Sequence, residues 1–142
     1  MMMTKLQQAK DLIDNEKYES GIIVLNDLHD LSLKDERFKL LLLAYALYNT
    51  EKYNQAIDIA DELLQKNSNN EYASQIKYFS YCGLEDYDNA LNEVIRFLSH
   101  NAANLYKVTL EELALDIKNG NISEESTVNK LKELALKNNV TM

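Results

Sequence analysis

Glu51-Lys52-Tyr53-Asn54-Gln55-Ala56-Ile57 has two counterparts in the chain: Glu16-Lys17-Tyr18-Glu19-Ser20-Gly21-Ile22 before it and Glu85-Asp86-Tyr87-Asp88-Asn89-Ala90-Leu91 after it. The tyrosines at 18, 53 and 87 are spaced by 35 and 34 residues, and the small residues at 21, 56 and 90 keep the same intervals. Recurrence at one fixed period of this size marks a stacked repeat architecture. Each copy is a charged turn, a tyrosine, two polar residues, a small residue and an aliphatic one. That order describes a helix–turn–helix hairpin. The tyrosine opens the second helix and is expected to pack its ring back on the first. The small residue three places on lets the two helix backbones approach.

Outward from the turns, apolar residues follow helical spacing. Upstream run Leu6, Ala9 and Ile13, then Leu40, Leu43, Ala44 and Leu47, then Ala73, Ile76, Ser80 and Leu84. Downstream run Ile22, Leu25 and Leu28, then Ile57, Ala60, Leu63 and Leu64, then Leu91, Val94, Ile95 and Leu98. The pattern predicts eight helices, at about 4–15, 17–30, 35–49, 52–66, 70–83, 86–99, 102–118 and 123–138. Asn69 and Asn70 are expected to cap the fifth, Ser123 and Ser126 the eighth, and Gly120 to end the seventh in a left-handed conformation. Short connections make successive helices antiparallel neighbours.

Composition agrees. Proline is absent and glycine occurs only at 21, 83 and 120, so long helices meet few breakers. The expected fold class is all-α: an α–α superhelix of three helical hairpins, at about 4–33, 35–68 and 69–100, with a C-terminal capping hairpin at 101–138, in one domain spanning 1–142. The net charge is −8, with 10 basic and 17 acidic side chains in residues 1–100 but 5 and 6 in residues 101–142. Arg37 and Arg96 are the only arginines, so the contiguous basic patch that phosphate backbones require is missing. Nucleic acid and membrane surfaces are therefore not expected partners, whereas a basic peptide would be steered favourably. The N-terminal stretch has no apolar core of signal length, and the longest apolar run, Leu40 to Tyr48, is about half of a bilayer crossing. The expected location is the cytoplasm.

The hairpins resemble tetratricopeptide repeats, a family with a helix–turn–helix period of about 34 residues. The middle unit carries most of the family's pattern in Leu40, Leu43, Ala44, Leu47, Tyr53, Ala56, Ala60 and Leu63, closing on Ser68-Asn69-Asn70 with Ser68 where the family usually has proline. The third unit keeps Gly83-Leu84-Glu85-Asp86-Tyr87 and Ala90 but places Tyr78 where the family has a small residue, and the first has Gly21 for the usual alanine. The resemblance covers roughly residues 4–100. Residues 101–138 form a degenerate further hairpin with Ile122 at the tyrosine position and Glu125 at the small-residue position. It reads as a cap over the last apolar face or, alternatively, as a docking element for another subunit.

The resemblance implies that the first helix of each hairpin lines a concave groove for a protein or peptide. Leu40 to Tyr48 is apolar all round, so Leu41, Leu42, Tyr45 and Tyr48 exceed what packing within the repeat needs. With Phe38, Tyr72 and Phe79 they form the expected partner-binding groove, suited to an apolar or amphipathic segment. Some family members clamp a C-terminal carboxylate with Lys, Asn and Arg on the first helices. Here the matching positions are Leu6, Lys10, Leu42, Tyr72 and Ile76, of which only Lys10 is basic, so that mode is not expected.

Nothing in the sequence calls for a cofactor, a metal or catalysis. His29 and His100 fall at helix ends, Cys82 is expected in helix packing, and adjacent acids such as Glu111-Glu112 are not facing pairs. No phosphate loop, paired-cysteine or nucleophile-elbow motif occurs. The expected function is thus a non-enzymatic adaptor binding a protein or peptide in its groove. The alternatives are a structural homodimer assembled through the surplus apolar helix surface and, third, a peptide-sensing regulatory protein.

Overall fold

The computed structural model describes residues 4–142. Met1–Met3, with which the expected 1–142 domain and the N-terminal stretch begin, lie outside the described residues. The described residues form eight helices and no strand: α1 (Lys5–Asp14), α2 (Tyr18–Asn26), α3 (Leu33–Asn49), α4 (Tyr53–Lys66), α5 (Glu71–Gly83), α6 (Tyr87–Leu98), α7 (Tyr106–Lys118) and α8 (Glu125–Lys137). The class is all-α, with sequential helices packed as helical hairpins, as expected. No helix among the described residues is long and apolar enough to cross a membrane.

One turn is used three times. Glu16, Glu51 and Glu85 all sit in the left-handed region, at φ 61°, 60° and 59°. In each case the next residue's N–H reaches back five positions, from Lys17 to Leu12 O (2.8 Å), Lys52 to Leu47 O (2.9 Å) and Asp86 to Tyr81 O (2.9 Å). This closure satisfies the orphan carbonyls at a helix end. Gly120, at φ 78°, closes α7 in the same way through Asn121 N–H to Asp116 O (2.8 Å). The repeat seen in side-chain types is therefore also a repeat in backbone conformation.

Close approach follows at the small residues. Ala56 and Ala90 have essentially no exposed surface, and a Cβ on Gly21 would lie 2.7 Å from Ile13 Cγ1. The tyrosines reach further than the expected packing on their own first helix. Tyr18 meets Tyr45 edge-on at 6.2 Å, on the first helix of the next hairpin. Tyr53 lies beside Tyr48 at 5.9 Å but also covers Gly83 of α5, where an added Cβ would be 2.6 Å from its Cε1 and Cε2. Tyr87 is largely exposed. Tyr18 thus reaches the next hairpin, and Tyr53 both packs on its own first helix through Tyr48 and reaches the next hairpin at Gly83. Gly83→Ala is expected to lower stability by about 1 kcal/mol through this overlap, measured by urea unfolding. In a Tyr53→Ala background the same change should be neutral or slightly stabilising, because only helix propensity remains.

Helix ends depart from the sequence expectation at three places. The second helix ends at Asn26, not near residue 30, as Asp27 and Leu28 turn back to Val24 and Leu25 carbonyls and Asp30 adopts φ 56°. His29 therefore lies in the connection, and Ser32 caps α3 through Asp35 N–H (3.1 Å). The seventh starts at Tyr106 rather than 102, because Glu71 of α5 accepts the N–H groups of Asn104 (2.9 Å) and Tyr106 (3.1 Å) and so organises the loop. The expected serine caps of α8 are also absent. Glu124 takes the cap position without a side-chain bond, and Ser126 Oγ donates to it instead (2.7 Å). Asn70 does cap α5, through Ala73 N–H (3.1 Å).

The fourth hairpin packs unlike the others. Its helices α7 and α8 meet over a shorter stretch than the earlier pairs, and α8 lies against α6. Two side chains tie it in. Asn138 accepts the Ala103 N–H (2.8 Å), and Tyr106, with no exposed surface, sits between Tyr78 and Phe97 at 6.2 and 5.4 Å.

Candidate functional site: an aromatic groove across three helices

The burial of α3 sorts its apolar run into two groups. Leu40, Leu43, Ala44, Ala46 and Leu47 are buried against neighbouring helices. Leu41, Leu42 and Tyr48 are half-buried, and Tyr45 keeps 44% of its surface. The second group turns toward one concavity of about 410 Å³. Its floor comes from α3, one wall from the last turn of α1 through Ile13 and Asp14, and the other from α5 through Tyr72, Gln75, Ile76 and Phe79. The first helices of the first three hairpins therefore contribute together, because α3 packs against both α1 and α5.

Leu41, Leu42, Tyr45, Tyr48, Tyr72 and Phe79 are brought together as the sequence suggested. Phe38 is not among them: it is half-buried one turn earlier on α3. The groove runs past the C-terminal halves of α1 and α3, and Phe38 lies beyond it on the N-terminal half. Ile13, Asp14 and Gln75 were not anticipated. Ile13 carried a signal as the last apolar position of its helix, but Asp14 and Gln75 look like any exposed polar residue in sequence.

The groove residues differ in what they can give up to a ligand. Tyr48 is wedged between Tyr53 and Phe79, at 5.9 and 6.2 Å, and burial raises its hydroxyl above the usual tyrosine range. Phe79 in turn stacks edge-on with Tyr78 at 5.1 Å. These rings hold the floor. Tyr72, 61% exposed, and Tyr45 stand at the mouth and can close over an incoming side chain. Asp14 supplies the one formal charge in the lining and holds Lys10 at 2.6 Å on the α1 surface. Lys10 and Leu6, tested above as carboxylate-clamp positions, do not line the groove.

Two other places bear on chemistry. A cleft of about 570 Å³ lies between α5, α6 and the α7–α8 connection, with Cys82 in its wall. Burial pushes the Cys82 thiol up, against a hydrogen bond from Tyr78 that lowers it, so the group stays a thiol at neutral pH, which suits the packing role expected for it. The second is a buried polar cluster that sequence reading missed. Glu93, only 1% exposed at its side chain, accepts Arg96 Nε (2.9 Å) and Nη2 (2.7 Å) and Ser74 Oγ (2.5 Å), while Ser74 also bonds the Tyr106 hydroxyl (2.7 Å). Lys77 stands 3.6 Å from Glu93 and 2.7 Å from Asp61. Burial alone would lower the Lys77 ammonium, but Asp61 and Glu93 hold it above the ordinary lysine value. Ser74 and Tyr106 have no exposed surface, so no substrate reaches the serine, and the cluster joins α4, α5, α6 and α7 instead. In sequence its only trace is the three-residue spacing of Glu93 and Arg96. Among the described residues no three His, Cys, Asp or Glu side chains are arranged to hold a metal ion.

Compared with protein-family models, curated proteins and solved structures, the chain matches none of them.

Proposed function

We propose that the chain is a tetratricopeptide-like, non-enzymatic adaptor that binds a protein or peptide segment in the groove between α1, α3 and α5. The observation that carries the reading is the convergence of seven apolar or aromatic residues from α3 and α5 on one concavity, with Tyr45 and Tyr72 left open at its mouth. Concave, mostly apolar surfaces with a few polar groups at the edge are where proteins take ligands. Tyrosines add wide contact area at low rotamer cost, with a hydroxyl for a backbone group. The three repeated left-handed turns and the close approaches at Gly21, Ala56 and Ala90 support the repeat-family reading. The fold by itself says nothing of the ligand. The preferred ligand is an apolar or amphipathic segment, with basic flanks favoured by the acidic balance of residues 1–100. A cytoplasmic setting suits such an adaptor and its single free thiol.

The test is selection of a displayed random-peptide library on the wild-type protein, followed by titration of the enriched peptides. Their affinity is expected to fall at least about tenfold in a Tyr45→Ala/Tyr72→Ala variant, the loss typical of truncated aromatic anchors. Both residues are exposed, so the variant should keep its helical circular dichroism. Tyr48 is left intact because it holds Tyr53 and Phe79 in place. No enrichment, or peptides that bind the variant equally well, would refute the groove.

A further inference from the structure

The outer end of the fourth hairpin shows aliphatic side chains where the end of an array should be polar. Val108 and Leu115 on α7 are 61% and 60% exposed, and Leu136 on α8 is 78% exposed. Val108 and Leu115 are two turns apart, on the side of α7 opposite its buried Tyr106, Leu110 and Leu113. Beside Leu115 an open hollow between α7, α8 and the last residues is lined by Ala114, Ile117 and Val140, with Glu111 and Lys118 at its edge. A protruding leucine next to an apolar hollow is the form of a self-complementary patch.

We propose that this face pairs with the same face of a second copy of the chain, the two α7 helices packing antiparallel across a two-fold axis at Leu115. Such an axis reverses the order of residues along α7 but keeps each side chain on its own side of the seam. Leu115 then meets Leu115. Glu111 and Lys118, four before and three after Leu115 and both on the side of the hollow, meet across the axis, and do so twice. Glu112, on the other side of Leu115, falls against Asn119. Glu111, Glu112 and Lys118 are exposed, and none is ion-paired within the described residues, so all three are available. An axis midway between Val108 and Leu115 would cover both aliphatics but would set Glu111 and Glu112 against their own copies, a like-charge contact that disfavours it. The charge of the whole chain points to the same end. Residues 1–100 carry 10 basic against 17 acidic side chains and repel their copies, whereas residues 101–142, with 5 and 6, are nearly neutral. The pairing is independent of the groove, to which α7 and α8 contribute nothing.

Light scattering and sedimentation equilibrium across micromolar concentrations should show a monomer–dimer equilibrium for the wild type. Lys118→Glu sets acid against acid, and Glu111→Lys sets base against base, so each alone should weaken the dimer at least about tenfold. Mixed in equal amounts, the two single variants present opposite charges at both contacts and should form a heterodimer at least as tight as the wild-type pair. The double variant Glu111→Lys/Lys118→Glu should likewise recover. Leu115→Asp should be monomeric, and circular dichroism checks that each variant remains helical. A wild type that stays monomeric throughout overturns the proposal. So does a dimer that the single reversals leave unchanged, which would put the contact elsewhere, or one that they weaken without rescue in the mixture, which would rule out this axis.

Discussion

Replacing Glu93 by alanine is expected to lower the stability of the protein by about 3 kcal/mol, with a fall in thermal midpoint of about 10 °C. The carboxylate is removed from water almost completely, yet it accepts a two-point contact from Arg96 and a short bond from Ser74, with Lys77 nearby. In alanine's place, the Ser74 and Tyr106 hydroxyls would be left in a dry interior with only each other. Two cations that had been drawn toward that oxygen pair would also lose their common acceptor. Arg96 is 37% exposed at its side chain and can turn to water, which keeps the loss at the low end for a broken buried pair. Lys77 retains Asp61. Glu93→Gln keeps an oxygen for Ser74 and should cost roughly half as much. Urea melts followed by circular dichroism give both values. A loss below about 1 kcal/mol for the alanine variant would mean that the cluster adds little beyond ordinary surface pairing.

Glu93 also marks the boundary of what sequence reading reaches. The hairpins were legible because their determinants are local: a left-handed turn residue, a small residue three places after the tyrosine, and apolar spacing on either side all lie within about one helical turn of each other. Leu40, Leu43, Ala44 and Leu47 could be assigned to the core, and Leu41, Leu42 and Tyr45 to a second face, from the 3.6-residue period alone. Depth along the array could not be read in that way. Phe38 has the period of a groove residue but sits past the groove's end, and Asp14 enters it only because α1 stops there. Contacts between hairpins were similarly hidden. Gly83 looked like part of a turn motif, although its use is to make room for Tyr53 from the preceding hairpin. Glu71 looked like an acid at a helix start, yet its carboxylate organises a loop 33 residues away. A charged residue between Asn92 and Val94 reads as solvated until the helices on both sides are placed.

The hairpin-to-hairpin contacts set the second large effect. Tyr106→Ala is expected to cost about 4 kcal/mol, the scale of an aromatic deleted from a packed core. Tyr106 has no exposed surface, touches Tyr78 and Phe97, and bonds Ser74. Through Tyr78, Phe79, Tyr48 and Tyr53 its ring belongs to a continuous aromatic row from α7 to α4. Tyr106→Phe separates the two contributions: it leaves the row intact and removes only the hydroxyl, for about 1 kcal/mol. Where the loss appears is as telling as its size. In a stack, each unit is held by its own packing and by its neighbours, and α7 meets α8 over a shorter stretch than the helices of the other hairpins do. The fourth hairpin therefore depends on Tyr106 more than the first depends on any one residue. Hydrogen exchange of the alanine variant should show α7 and α8 losing protection while α1 to α4 keep theirs. If instead protection falls evenly from α1 to α8, the four hairpins open as one cooperative unit, and the aromatic row, rather than nearest-neighbour packing, carries the coupling along the array.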